Sequence, residues 1–320
     1  MNEFNLIQQY FTRAAKHAAL GVGDDAALIN VADGMQLVVS TDMSVAGTHF
    51  FHDALAYDVG WKALAVNVSD MAAMGAQAKW ATLAIALPDV NETWLAEFSR
   101  GFFACADAFS IDLIGGDTTR GPLNISVTIM GEVPMGKALR RDGAKAGDDI
   151  WVSGTLGDAA LALAILQKRY EIDKNWQQDE LAKWLPCLNR PQPRAALSLA
   201  LRGIASSCID ISDGLLADLG HILEASNLGA NIHLEKLPVS HFNLNHLHQP
   251  TIQQCVLAGG DDYELCFTAP PNQRDAIEAI AKQQSILLTC IASTRLPIGL
   301  QAMYKNTEIK LNNKGFDHFG

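Results

Sequence analysis

Apolar residues recur along this chain with two alternating periods. Some stretches repeat every three to four positions, as one face of a helix does. Others are short continuous runs stopped by Gly or Pro, as buried strands are. The opening segment, Glu3 to Lys16, carries Phe4, Ile7, Tyr10 and Phe11 at helical spacing. Leu37 to Val39 predicts a short buried strand ending at Ser40-Thr41-Asp42. Asp58 to Met74 predicts a helix with Val59, Leu64, Ala65, Val68 and Met71 on its apolar face and Asp70 projecting from it. Trp80 to Leu87 reads as a strand stopped by Pro88, and Trp94 to Phe109 as a helix. Ile111 to Ile114 reads as a strand running into a Gly115-Gly116 turn, and Asn124 to Val133 as a strand closed by Pro134.

Residues 134 to 149 are rich in Gly, Lys, Arg and Asp and have little to build a core with, so they predict a hinge. The expected domains are 1–137 and 138–320. Past the hinge the alternation restarts. Strands are expected at Ile150 to Val152, Ser207 to Asp210, Asn231 to Leu234, Tyr263 to Thr268 and Ile286 to Ile291. Helices are expected at Gly157 to Lys168, Asp179 to Trp184, Pro193 to Leu201, Leu215 to Ala225 and Asp275 to Lys282. Strands and helices mix in both halves, so the fold class is α/β or α+β. The stretch around His246 and His248 is polar and reads as solvated loop.

Six segments set an aspartate beside glycine, serine or threonine: Gly23-Asp24-Asp25, Ser40-Thr41-Asp42, Ser69-Asp70, Gly115-Gly116-Asp117-Thr118, Asp210-Ile211-Ser212-Asp213-Gly214 and Gly259-Gly260-Asp261-Asp262-Tyr263-Glu264. Each has a plain structural reading as a turn or a helix cap. Taken together, crowded carboxylates repel one another unless cations sit among them. The set therefore points to magnesium holding a polyphosphate, and so to a nucleotide-using enzyme. His49, after the Gly47-Thr48 turn, is either structural or a hydrogen-bond donor to an anion. Arg140-Arg141 in the hinge is either a solvated pair or a phosphate contact.

Composition narrows the field. A formal net charge of -11 argues against broad binding to nucleic acid. The six cysteines have no CxxC spacing and read as small buried hydrophobes. No secretory leader and no membrane-length apolar run is visible, so a soluble cytoplasmic protein is expected. No GxxxxGK[ST], no GxGxxG opening a helix, no protein-kinase motif set and no GxSxG elbow occurs.

In order along nearly the whole chain, Gly21-Val-Gly-Asp-Asp25, Ser40-Thr-Asp42, Gly47-Thr-His-Phe50, Asn67-Val-Ser-Asp-Met-Ala-Ala-Met-Gly75, Ile114 to Pro122, Ile211-Ser-Asp-Gly-Leu215, Gly259 to Leu265 and Lys314 to Phe319 resemble the thiamine-monophosphate kinases. These lie within the superfamily of aminoimidazole ribonucleotide synthetase, selenophosphate synthetase and the hydrogenase-maturation dehydratase. The resemblance implies two α/β domains, each a mixed sheet covered by helices, and dimers formed through the amino-terminal sheets. It implies ATP-dependent phosphorylation of thiamine monophosphate to thiamine diphosphate. The transfer is expected to be direct and in line, with no covalent nucleophile, and an already ionised monophosphate needs no general base. The resemblance implies several Mg²⁺ ions on Asp25, Ser40, Thr41, Asp42, Asp70, Asp117, Asp210 and Asp213. It further implies nucleotide contacts at Gly116, Asp117, Arg141 and Ser212, and substrate contacts at His49, Glu264 and Phe316. One departure is Asp261, where the family usually has Glu. A different member of the superfamily is the alternative enzyme, although no reactive Cys stands in the early glycine loops as selenophosphate synthetase would carry. A non-catalytic nucleotide sensor is the alternative from another class, against which the retention of all the acids weighs.

Overall fold

The computed structural model describes residues 2–171, 174–311 and 315–316, with the side chains of 174–178 left out. The chain divides into two compact units. Residues 1–71 and 76–138 form the first, and residues 72–75 and 139–320 the second.

The first unit contains helices α1 (Glu3–Tyr10), α2 (Ala56–Ala73) and α3 (Glu92–Phe109), with strands β1 (Met35–Val45), β2 (Gln77–Leu87), β3 (Asp112–Arg120) and β4 (Asn124–Pro134). The strands form one sheet in the order β1-β4-β2-β3. Pairing is antiparallel except between β2 and β3. Alternation sets one face against the core. Leu83, Ile85, Ile125, Val127 and Ile129 are buried there, along with Leu64, Val68 and Met71 of α2 and Phe98 and Phe102 of α3. The expected helix face of α2 is therefore the one that packs.

Two strand expectations need correction. β1 is neither short nor buried: it runs on to Val45, and Leu37 and Val39 are 42% and 56% exposed. Ser40-Thr41-Asp42 thus lies inside a strand rather than at its end. Likewise Gly115-Gly116-Asp117 is not a turn but the middle of β3. Gly116 is there because β2 comes too close for a side chain: a Cβ would stand 1.8 Å from the Leu83 carbonyl oxygen, at φ +152°. Gly116→Ala is expected to lower stability in urea unfolding by roughly 2–4 kcal/mol, since both steric clash and backbone strain must be relieved. A loss below about 0.5 kcal/mol would show that the two strands separate freely here.

The second unit contains β5 (Asp149–Ser153), α4 (Asp158–Leu166), α5 (Lys174–Asn189), α6 (Ala195–Leu201), β6 (Ser207–Asp210), α7 (Leu215–Ala225), β7 (Gly229–His233), α8 (His241–His246), α9 (Pro250–Ala258), β8 (Leu265–Ala269), α10 (Arg274–Gln284), β9 (Leu288–Ser293), β10 (Gly299–Tyr304) and β11 (Thr307–Glu308). One sheet has the order β6-β8-β5-β9, and a smaller one the order β11-β10-β7. The four-stranded sheet is buried on both faces. Ile150, Val152, Ile209 and Cys266 enter a cluster with residues of α4, α7 and α9. Trp151, Cys208, Leu265 and Phe267 enter the other, with residues of α6 and α10. Near-continuous apolar runs are what a doubly covered sheet requires. His246, expected in a solvated loop, instead ends α8 and stacks on Phe242 with ring centroids 4.2 Å apart. Pro193 lies before α6 rather than in its first turn.

Candidate active site

In the first unit, β1 alternates its side chains between the two sheet faces. Ser40 and Asp42 go to the helix-covered face, where Asp70 arrives from α2. The Ser40 hydroxyl donates to Asp70 Oδ2 at 2.5 Å. Two expected site residues from distant motifs are thus in contact. Thr41 takes the other face, sharing a hydrogen bond with the Thr128 hydroxyl at 2.9 Å. The ladder aligns Asp42, Val127, Leu83 and Gly116 across the sheet. Asp117 aligns instead with Ala84, Ser126 and Met43 on the open face. It is also three strands from Asp42, a separation of about 14 Å. The structure therefore gathers Ser40, Asp42 and Asp70 and keeps Thr41 and Asp117 apart from them. Asp25 is exposed in its turn, where its N–H donates to Asp24 Oδ1 at 2.9 Å.

His49 is held by a tight turn. Its N–H donates to the Val45 carbonyl, and the Val45 N–H donates back to His49 Nδ1 at 3.0 Å. An accepting Nδ1 carries no proton, so the ring proton sits on Nε2. The imidazole can then offer an N–H to an anion without first being charged.

In the second unit, β6 ends at Asp210 and the chain turns through Ile211-Ser212-Asp213-Gly214 into α7. Asp218, in the first turn of α7, holds that loop. Its Oδ2 accepts from the N–H groups of Ser212, Asp213 and Gly214 at 3.1, 3.0 and 3.0 Å. Burial, with the Asp213 charge beside it, pushes the Asp218 carboxyl up to about 7 despite those donors. A second loop, 259–264, is stitched to the first. Asp261 N–H donates to the Ser212 carbonyl at 2.9 Å, Tyr263 N–H to Ile211 at 2.8 Å, and Ile211 N–H to Glu264 at 2.8 Å. Gly260 permits this approach, because a Cβ there would lie 2.4 Å from the Ser212 carbonyl oxygen. Asp261 has φ +69°. Aspartate visits the left-handed region more readily than glutamate, which accounts for the departure noted at this position.

Phe316 joins the same group. Its N–H donates to the Asp213 carbonyl at 3.1 Å, and its residue is 53% exposed. Of the carboxy-terminal motif, Lys314, Asp317, His318 and Phe319 lie outside the described residues. Asp210, Ser212, Asp213, Glu264 and Phe316, all expected from the sequence, are therefore gathered on one side of this unit by main-chain hydrogen bonds. Arg141 is not. Its carbonyl accepts from the Ser226 hydroxyl beyond the last turn of α7. That is the opposite end of an eleven-residue helix about 16 Å long. The neighbouring Arg140 is paired with Asp142 rather than with Arg141.

Glu264 is the most constrained acid of the set. Ser153 Oγ donates to its Oε2 at 2.5 Å and Arg194 Nε to the same oxygen at 2.6 Å. A second guanidinium nitrogen of Arg194 bonds Oε1. A carboxylate has about four acceptor positions, so a ligand finds little more than one left here, on Oε1. Asp262, next to it, accepts the Gly157 N–H on both oxygens at 3.0 and 3.2 Å, where α4 begins. Burial holds its carboxyl well above the usual range.

Sequence reasoning missed Asp218, Arg194 and Ser153, and named Asp262 only as part of its acidic segment. Asp218 left one signal, an acid inside the apolar start Leu215-Leu-Ala-Asp-Leu219. Arg194 left another, a cation directly before the apolar helix that follows Arg190-Pro-Gln-Pro-Arg194.

Residues 23–133 match the family model for the N-terminal domain of AIR synthase related proteins, and residues 145–291 that for the C-terminal domain. The thiamine-monophosphate kinase of Escherichia coli (strain K12) is 46% identical over 99% of this chain and 98% of its own. The crystal structure of thiamine-monophosphate kinase from Stenotrophomonas maltophilia K279a is 45% identical, with a TM-score of 0.84 over 96% of this chain and 95% of its own. AaThiL complexed with AMPPCP and TMP is 30% identical, with a TM-score of 0.77 over 93% of this chain and 92% of its own. With both domains matched and such coverage at these identities, the chain belongs to the thiamine-monophosphate kinase family of AIR synthase related proteins.

Proposed function

We propose that this chain transfers the γ-phosphate of ATP to the phosphate of thiamine monophosphate, giving thiamine diphosphate and ADP. The observation that carries this reading is the stitching of the 211–214 loop, the 259–264 loop and Phe316. It places Asp210, Asp213 and an exposed aromatic ring on one framework, which suits a ligand with a phosphate at one end and a flat heterocycle at the other. Family membership sets the same expectation.

The donor set fits Mg²⁺. In the first unit Asp25, Asp42, Asp70 and Asp117, with Ser40, supply only hard oxygens, and in the second unit Asp210 and Asp213 do the same. Mg²⁺ commonly takes one or two carboxylates and completes its shell with phosphate oxygens and water. Bound there, Mg²⁺ supplies the positive charge that lets two anionic phosphates meet and stabilises the transferring group. The need is large: one pair of unit charges 4 Å apart costs about 4 kcal/mol at an effective dielectric of 20.

The chain's own groups orient and hold. The Nε2–H of His49 donates to the acceptor phosphate. Asp218 fixes the Ser212 and Asp213 backbone from below, and Arg194 fixes Glu264. A phosphate monoester with a second pKa of about 6 is already ionised at neutral pH, so the attacking oxygen gives no proton to a base. Phe316 packs on the thiamine rings. Phe316→Ala is expected to raise the dissociation constant for thiamine monophosphate about fivefold and leave that for ATP within twofold, as one aromatic contact is worth about 1 kcal/mol. Calorimetry with each ligand reads both, and an equal loss for the two would make Phe316 structural.

Leu37, Val39 and Met43 of β1 form an apolar row on the open face, each more than 40% exposed. Such a row on an edge strand supports a homodimer formed through this sheet. No helix of the described residues is long and apolar enough to cross a membrane. All six cysteines are free thiols, which suits a reducing cytoplasm. The function is tested by incubating the purified chain and ATP with thiamine monophosphate, thiamine or an aminoimidazole ribonucleotide precursor in parallel. Only the first should release ADP; equal release from all three would overturn the assignment.

A further inference from the structure

The second unit holds a cavity of about 740 Å³ that none of the proposed catalytic or binding residues lines. The volume lies within the range of small-molecule sites. Its walls come from the start of α4 and the segment after it, the middle of α5, and α8 with the turn after it. Aromatic faces dominate. Trp184 and Phe242 meet edge to face at 4.9 Å, His246 stacks on Phe242 at 4.2 Å, and Tyr170 adds a fourth ring.

The polar groups there mostly accept hydrogen bonds. Asp158, Glu171 and Glu180 are all in the lining. Lys183, the one lysine or arginine among the described lining residues, is tied to Glu180 at 2.7 Å. The Tyr170 hydroxyl spends its proton on Gln249 Oε1 at 2.9 Å, which leaves oxygen lone pairs. His246 Nδ1–H donates to the Phe242 carbonyl at 2.8 Å, so its Nε2 carries a lone pair. Asp158 is buried, and both of its hydrogen bonds, from Ser240 Oγ at 2.6 Å and Asn243 Nδ2 at 2.9 Å, land on Oδ1. The remaining neutral donors among the described lining residues belong to Asn245, His241, Gln249 and Trp184.

Aromatic faces with surplus carboxylate match one ligand chemistry. Anions are repelled, and neutral apolar ligands would leave the acids unsatisfied. We propose that this cavity is a second ligand site, separate from the phosphoryl-transfer residues, for a small organic cation with an aromatic or methylated-ammonium head. Burial pushes the Asp158 carboxyl up to about 6 with Glu180 adding to the effect, so an arriving cation relieves a standing electrostatic cost.

The test titrates benzyltrimethylammonium into the full-length protein by calorimetry, with benzyl alcohol as the neutral comparison. Saturable one-to-one binding of the cation is expected, at least tenfold tighter than that of the alcohol. Asn245→Arg, an exposed substitution that sets a guanidinium at the rim, should weaken it at least tenfold. Glu180→Gln should weaken it severalfold. Asp42→Asn should leave it unchanged, and Asn245→Arg should leave the KM for thiamine monophosphate within twofold. Equal binding of cation and alcohol, indifference to Asn245→Arg, or loss of binding in Asp42→Asn would overturn the proposal. So would a tenfold rise in that KM, because the cavity would then be part of the acceptor site.

Discussion

Asp42→Asn is expected to lower phosphoryl transfer about a thousandfold while leaving the thermal unfolding midpoint unchanged or slightly raised. The size follows from what one preorganised charge contributes at a site where charge moves, about 10²–10³ in turnover. The position supports it. Asp42 shares the helix-covered face of β1 with Ser40, whose hydroxyl is already engaged by Asp70. Asparagine keeps the shape and the neutral oxygen but removes the negative charge that a hard cation prefers. The unfolding result separates site from scaffold. A strand residue that mattered for packing would lose stability on substitution, whereas removing one of several neighbouring acids in the metal-free protein relieves repulsion. Full turnover of Asp42→Asn at millimolar Mg²⁺ would remove Asp42 from the machinery.

Arg194→Met is expected to cost about 3–5 kcal/mol of stability, the usual penalty for stranding one member of an enclosed ion pair. Glu264 has a side chain only 8% exposed and relies on the Arg194 fork and Ser153 for all the hydrogen bonds its carboxylate makes in the structure. Methionine fills much of the volume but leaves the carboxylate with Ser153 alone. Glu264 also anchors one end of the loop that pairs with Ile211 and Ser212, so the loss should appear as a lower urea midpoint together with weaker acceptor binding. Arg194→Lys should recover only part of it, because an ammonium cannot make two parallel bonds to one carboxylate. The double variant Arg194→Met with Glu264→Gln should be more stable than Arg194→Met alone, since the stranded charge has gone. A loss under about 1 kcal/mol in the single variant would mean that water reaches Glu264 freely.

Local periodicity carried most of the helices. α2 buries the residues its spacing predicts, and α3 and α7 form where they were expected, because a helix is decided within a few turns. Strand burial was harder to see. Leu37 and Val39 look like core in sequence, yet their exposure depends on what covers the open face of the sheet, and no local pattern encodes that. Gly115-Gly116 was misleading for a related reason: glycine marks a close backbone approach as readily as a turn, and here the approach is to β2. The segment from 241 to 254 escaped because its polar composition hides the few anchors, Asn243, Leu247 and Ile252, that bury it.

The site was legible residue by residue but not as geometry. Ser40 with Asp70, and the 211–214 loop with Glu264 and Phe316, were expected to share one chemistry, and each group is held together by hydrogen bonds. What holds them could not be read. Asp218 and Arg194 act across turns and between segments 70 residues apart, and a buried acid or cation looks the same in sequence as a solvated one. Nor could the sequence distinguish the two faces of the first sheet, which part Asp117 and Thr41 from Asp42.

The most direct test of phosphoryl transfer is ³¹P NMR of the wild-type chain with ATP, Mg²⁺ and thiamine monophosphate. The paired diphosphate resonances of thiamine diphosphate should grow in step with ADP, with no inorganic phosphate ahead of them. ADP appearing with inorganic phosphate while the thiamine monophosphate signal stays constant would contradict the account.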